Sequence, residues 1–424
     1  MGLRNVPDVL RNRDFNLYWA GVVLSQIGTR ATVAANLYHV YHLTGSIAQT
    51  GLVGAGQAFA LLVLSPLGGV LADRWDRRRL LQASQAVAMV VAGGLAIATL
   101  TGHIVAWQVV LSVVLTTAAS TFDQPARQAL IPALVPRVQL PQAFALINPS
   151  REVAVLLGPA IAGILIAFGG PGLVYAVDAV TYAALVVVLQ LLRVPSLEGA
   201  GTAVSIWRQL VDGVAFVRGR RMIWMLMSLD LSATIFGAYR VLLPALCATV
   251  FHVGPQGYGL LSAAPSAGAL LATYTIFRVV DRTQRLGRVL LIGTVLYGVS
   301  NVFLAQAHLF WIAVLAGLLI GACDAMATTI RQAAVQLETP DELRGRVSAI
   351  YQMASRGGPA LGDTLMGGVA GLLGPVFALT VGGALAGLYA GSFLVRANPV
   401  LTYTGVAGER AAARAPTGKP PESG

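Results

Sequence analysis

Apolar runs about 20 residues long, the length that crosses a roughly 30 Å hydrocarbon core as a helix, recur along this chain and alternate with short arginine-bearing segments. One simple threading places twelve such helices between residues 16 and 396. In it, 25 of the 29 basic residues fall in seven alternate segments, from the N-terminal tail to the C-terminal tail. The opposite loops hold none. Basic residues are retained on the cytoplasmic side of a membrane protein, so the pattern predicts span number and orientation together, with both termini cytoplasmic. The expected architecture is an all-α integral membrane protein with two six-helix halves, residues 1–192 and 222–396. A cytoplasmic interdomain loop, 193–221, joins them, and a disordered cytoplasmic tail, 397–424, follows.

Composition excludes the soluble alternatives. A chain that is 56% hydrophobic and 11% charged is too apolar for a water-soluble globule. The net charge of +11 does not indicate nucleic acid, because the arginines sit in short loops and form no continuous soluble face. The polar N-terminal arm lacks a small-residue cleavage site behind a short apolar core, so no signal peptide is read. Cys247 and Cys323 both fall in predicted spans and suggest no disulfide. The interdomain loop places Ile206, Leu210, Val214 and Val217 at helical spacing, with Arg208 and Asp212 opposite. An amphipathic surface helix fits that pattern.

Four arginines break the segregation: Arg30, Arg151, Arg240 and Arg356 lie inside apolar stretches. A lone charge at mid-helix costs on the order of 2.5–3.5 kcal/mol on insertion scales, so these side chains should line a wet cavity or pair. Four cavity arginines suit an anionic ligand with several oxygen donors, and internal ion pairing between helices is the alternative. The carboxylates Glu152, Asp178, Asp230, Asp324 and Asp363 share the apolar stretches and are the candidates to carry a coupled proton. Glu152 and Asp230, nearest mid-depth on the cytoplasmic half, are favoured. All five histidines, His39, His42, His103, His252 and His308, fall in or beside the outer loops and are expected to be solvated.

The halves repeat. Residues from Ala126 (ARQALIPALVPRVQ) correspond to those from Ile330 (IRQAAVQLETPDEL), and after one residue of slippage Arg151 aligns with Arg356, Gly163 with Gly368 and Gly169 with Gly374. Parallel repeats with a midplane site between them occur in transporters.

The segment GGVLADRWDRRR at Gly68 carries Gly69, Asp73, Arg74 and Arg77, which resembles the G-x-x-x-D-R-x-G-R loop of the major facilitator superfamily. A weaker copy begins at Asp281 and Arg282. Asp76 stands where glycine is usual. Within the superfamily, NRDFNLYWAG at Asn12, LTGS at Leu43 and the Gly68 segment resemble the drug:proton antiporter-3 branch. The resemblance implies that Asp73 gates the cycle by inter-domain pairing, and that Gly158, Pro159 and Gly163 form the helix-bending motif of exporters. It implies a secondary exporter of a small amphipathic, anionic, siderophore-like molecule by proton antiport with alternating access, working as a monomer among membrane lipids without a cofactor or metal. A broad-specificity drug pump, a nutrient importer and a transporter-like sensor are the alternatives. An enzyme is excluded on its motifs: the one lysine, Lys419, precedes Pro420 and makes no phosphate loop, and no span holds His-Glu-x-x-His.

Overall fold

The computed structural model describes residues 7–64, 76–192, 206–283 and 285–404. Gly69, Asp73 and Arg74 of the loop motif lie outside the described residues, as does the side chain of Asp281. The described residues are helical, with no strand among them. The elements are α1 (Arg13–Thr44), α2 (Ile47–Phe59, continued by a π turn, Ala60–Leu64), α3 (Arg77–Leu100) and α4 (Ala106–Leu134). The helical stretch Leu140–Leu191 has non-helical angles at Gly169 and Gly170, which divide it into α5 (140–168) and α6 (171–191). Then come α7 (Ile206–Gly219), α8 (Arg221–Phe236), a 3-10 turn (Arg240–Leu242) leading into α9 (Leu243–Thr249), α10 (Pro255–Arg282), α11 (Leu286–Ala305), α12 (Phe310–Leu337), α13 (Arg344–Leu373) and α14 (Pro375–Val395).

Seven helical stretches among the described residues are long and apolar enough to cross a membrane, among them α3, α10, α11, α12 and α14. α1, α4 and α13 match them in length. Local chemistry sets the ends. Asn12 accepts from the backbone N–H groups of Asp14 and Phe15 to start α1, and Ser46 caps α2 by accepting from Gln49. Asp76, the departure from the loop motif, accepts from the N–H groups of Arg78 and Arg79 and caps α3. Each such cap satisfies donors the helix itself cannot. Both repeats break at a Gly-Pro pair: Gly170 (φ +72°) precedes Pro171, and Gly374 (φ +87°) precedes Pro375. A left-handed residue followed by a ring that lacks an N–H ends one helix and starts the next.

Packing sorts the helices into two groups. α1 packs along α5 and α6, with Gly21 against Leu185, Gly28 against Asp178 and Gly158 against Arg30. α3 and α4 complete that side with α2. On the other side α11 packs on α12 and α14, α10 on α12, and α8 on α13 and α14. The groups meet along two glycine-lined seams. Gly51 and Gly54 of α2 face Gly367 and Ala360 of α13, while Gly163 of α5 faces Gly259 of α10. Absent Cβ atoms allow that approach. The Tyr258 hydroxyl donates to the Ala34 carbonyl at 2.8 Å, adding a hydrogen bond across the junction.

Three expectations change. His39, expected beside an outer loop, is buried within α1, with its ring nitrogen 3.1 Å from the Tyr175 hydroxyl; α1 runs to Thr44, further than the hydropathy pattern suggested. Arg127 and Arg331, assigned by charge segregation to cytoplasmic segments, lie inside α4 and α12. Ion pairs make those positions tolerable, as described below. The first residues of the segment expected to be a disordered tail are packed: Val400 is buried, and the Tyr403 carbonyl accepts from the Gly287 N–H at 2.9 Å. The helix expected in the interdomain loop is α7, and it docks on α13, with Gly213 against Ile350 and Arg346.

Candidate functional site

Between the two helix groups the structure gathers charges scattered along the sequence. Arg30 leaves α1 beside Gly158 of α5 and lies within electrostatic reach of Arg151, Arg240, Arg356 and Glu152. Arg356 and Arg151 also face each other electrostatically. Arg151, Glu152, Arg240 and Arg356 are exposed despite their places within long apolar stretches. Charges exposed to lipid would be costly, so a polar space between the helix groups is what their clustering calls for. Arg30, Arg151 and Glu152 come from the α1–α6 group, Arg240 and Arg356 from the other.

Arg240 has carboxylates within electrostatic reach. Asp363 of α13 and Tyr239 flank it, and the Asp363 carboxylate accepts from the Val241 N–H. Asp324, exposed on α12, also feels Arg240. None of the four arginines, Arg240 included, forms an ion pair among the described residues.

A second network adjoins this one. Arg331 Nη2 lies 2.5 Å from Asp230 Oδ1, with side-chain exposures of 2% and 5%. Ser355 donates to the other Asp230 oxygen at 2.6 Å, and Arg331 donates to the hydroxyls of Thr328 (2.9 Å) and Tyr351 (3.3 Å). Thr328 in turn donates to Asp324 at 3.3 Å. The chain of contacts ties α12 to α8 and α13. Its counterpart in the first half is Arg127, paired with Asp123 at 2.7 Å, while Gln85 donates to Asp123 and Ser25 donates to Gln85.

Asp178 stands apart. Buried between α1 and α6, it accepts from Thr32 (2.6 Å) and Thr181 (3.3 Å). Its described partners are hydroxyls.

Of the expected cavity residues, the structure thus brings together the four arginines, Glu152, Asp363 and Asp324, and leaves Asp230 and Asp178 elsewhere. Arg77 and Arg282 are exposed at helix ends. In the bend motif, Pro159 lies inside α5, Gly158 meets α1 and Gly163 meets α10, so the motif sits where one helix touches both groups. Arg127 and Arg331 escaped sequence reasoning because they fall just past the helix ends estimated from hydropathy. The signal that marks them is the repeat itself, since both occupy the shared Arg-Gln-Ala.

Residues 7–410 match the profile of the transmembrane secretion effector family, MFS_3. The chain belongs to this family. It is therefore a multi-pass protein of the cytoplasmic membrane and a transporter, not an enzyme. Similar curated proteins include the enterobactin exporter EntS of Citrobacter koseri, 26% identical over 342 residues that cover 80% of this chain and 81% of the relative. The enterobactin exporter of Salmonella typhi is 28% identical over 347 residues, covering 80% and 82%. Among solved structures, the nucleoside transporter NupG superposes with a TM-score of 0.73 at 16% identity, covering 90% of this chain and 98% of that one. A D-xylose–proton symporter gives 0.71 at 14% identity, covering 93% and 100%. At such identities these structures support the fold alone: this secretion effector shares the major facilitator architecture.

Proposed function

We propose that this chain is a secondary active exporter of a small amphipathic, anionic, siderophore-like molecule, driven by proton antiport with alternating access. The observation that carries the reading is that Arg151, Arg240 and Arg356, drawn from both helix groups, lie within electrostatic reach of Arg30. Guanidinium groups match carboxylate and catecholate oxygens in charge and geometry, and the similar curated proteins are named as exporters.

The proposed architecture is twelve spans in two six-helix halves, 1–192 and 222–396, joined by 193–221, with both termini in the cytoplasm. In that orientation the turn between α1 and α2 is extracellular. The glycine seams and the Tyr258–Ala34 bond then close the outer end, and the arginines face a cavity entered from inside. The Gly69–Asp73–Arg74–Arg77 loop and its weaker copy at Asp281 and Arg282 would gate that inner end.

Electrostatics narrows the choice of proton carrier. An anion bound to Arg240 or Arg30 neutralises the cations that balance Asp363, Asp324 and Glu152, so those carboxylates would take up a proton together with the cargo. Exchange calls for a carboxylate away from the arginines. Asp230 is away from them but fixed by Arg331. Asp178 has hydroxyl partners, and one of them, Thr32, sits two residues from Arg30 on the same helix. A change in the Asp178–Thr32 bond would therefore reach the cargo site through α1.

Inside-out vesicles containing the chain, with an acidic lumen, test this with enterobactin as probe. Accumulation that nigericin abolishes, and that Asp178→Asn uncouples from the gradient, is the expected outcome. Transport of the cation ethidium without enterobactin would instead identify a drug pump, and enterobactin uptake indifferent to the gradient would remove the antiport step.

A further inference from the structure

Two corners of the molecule are fastened alike by different chemistry. In each half, the helix that follows the loop motif or its copy is tied to the end of the half's last helix: α3 to α6, and α11 to α14. The first corner uses a side chain. Arg78, in the first turn of α3, donates from Nε to the Leu189 carbonyl at 2.7 Å and from Nη2 to the Gln190 carbonyl at 2.9 Å. These carbonyls belong to the last turn of α6, which a helix leaves without N–H partners of its own. The positive charge also suits that end of the helix dipole.

The second corner uses the main chain. Past α14 the backbone turns at Asn398, whose side chain donates to the carbonyls of Phe393 (2.6 Å) and Arg396 (2.7 Å) and accepts from the Leu401 N–H at 2.9 Å. The turn brings Val400, fully buried, into a cluster with Leu286 and Leu290 of α11. The Tyr403 carbonyl then accepts from the Gly287 N–H at 2.9 Å, one of the donors that a helix start leaves over. Gly287 is also the seat. A Cβ on it would lie 1.7 Å from the Val400 carbonyl oxygen and 3.2 Å from Tyr403 Cβ. Only a residue without a side chain lets residues 398–403 lie so close.

We propose that residues 398–403 are a C-terminal clasp, seated on Gly287, that fixes the α10–α11 corner to the end of α14 as Arg78 fixes the start of α3 to α6. The loop copy at Asp281 and Arg282 lies in that corner, so the clasp makes it travel with its own half. The clasp is independent of the exporter reading and needs only that the halves of a transporter rock as bodies. It also gives Gly287 a task other than turning the chain: the residue is helical, and its missing side chain makes room for the clasp.

Limited trypsin digestion of the full chain in detergent, with cut sites read by mass spectrometry, tests this. Arg282 and Arg285 are exposed at the second corner, and cleavage after them requires the corner to open locally. A chain ending at Ala397 should be cut there about fivefold or more faster than the full chain. A chain ending at Thr404, which keeps the clasp, should match the full chain. Gly287→Ala is the sharper variant. Alanine is the better helix former, so this change strengthens α11 by itself and quickens cutting only by expelling the clasp. Arg78→Gln should quicken cutting after Arg77 and Arg79 at the first corner and leave the second as it was. If the chain ending at Ala397 fails to fold, Gly287→Ala and Asn398→Ala read the same rate. Cutting at the second corner that is as slow in those two variants as in the full chain overturns the clasp. Faster cutting in the chain ending at Thr404 would place the restraint beyond residue 404 and overturn it too. Proteolysis uses no cargo, so neither result bears on the exporter reading.

Discussion

Arg331 shows what a buried cation requires. It is 2% exposed yet well partnered, by Asp230, Thr328 and Tyr351. Removing one member of a buried pair leaves the other charged and unsolvated, typically at a cost of about 3–5 kcal/mol, whereas replacing both is often neutral. Asp230→Asn should therefore lower the thermal midpoint of the purified chain sharply, and adding Arg331→Met should restore much of the loss. Midpoints that are additive between the two variants would show that the ion pair is not what holds α8 to α12. The contrast with Arg240 is instructive. Arg240 is exposed, so on the proposed function Arg240→Ala should reduce enterobactin efflux while leaving the gel-filtration profile of the membrane-extracted chain intact. Equal loss of both would mean that Arg240 serves the fold. The sequence revealed Arg240 because it interrupts an apolar run. It hid Arg331 because hydropathy places helix ends only to within a turn, and a charge near such an end is indistinguishable from a loop anchor.

At the scale of helices, the repeat was legible and its register nearly so. Aligning Gly169 with Gly374 is one residue off: the elements that correspond are Gly170-Pro171 and Gly374-Pro375, each a positive-φ glycine before the proline that starts a helix. That register agrees with the pairing of Arg127 and Arg331. The helices were readable because length and apolar runs are local properties. Which helices touch was not, since the seams depend on missing Cβ atoms that match only in three dimensions. Gly163 illustrates the point: a Cβ there would lie 2.6 Å from the Pro255 carbonyl oxygen and 2.7 Å from Gly259 Cα. Gly163→Leu should wedge α5 from α10. Cys247, buried at 2% beneath this end, reports the change in a Cys323→Ser background. Rapid labelling of Cys247 by a membrane-impermeant maleimide in the Gly163→Leu protein, and slow labelling in its parent, is the expected result; equal rates would show that the seam does not close the cavity.

For the whole molecule, the strongest constraint is the membrane itself, which forces polar groups inward and basic loops to one side. In the proposed orientation the turns at His103, Gly254 and His308 are outside, and the two glycine seams lie towards that same end. A chain oriented the other way would close its cavity towards the cytoplasm and present an arginine-rich face to the exterior, which the bias of basic loops opposes. Single cysteines placed by His103→Cys, His308→Cys, Arg137→Cys and Arg285→Cys, in a chain lacking Cys247 and Cys323, separate the two orientations in intact cells. The first two should react with an impermeant maleimide directly, and the last two only after permeabilisation. Direct labelling at Arg137→Cys or Arg285→Cys would invert the molecule, turn the closed end inward and make the arginine wall a receptor for cargo arriving from outside.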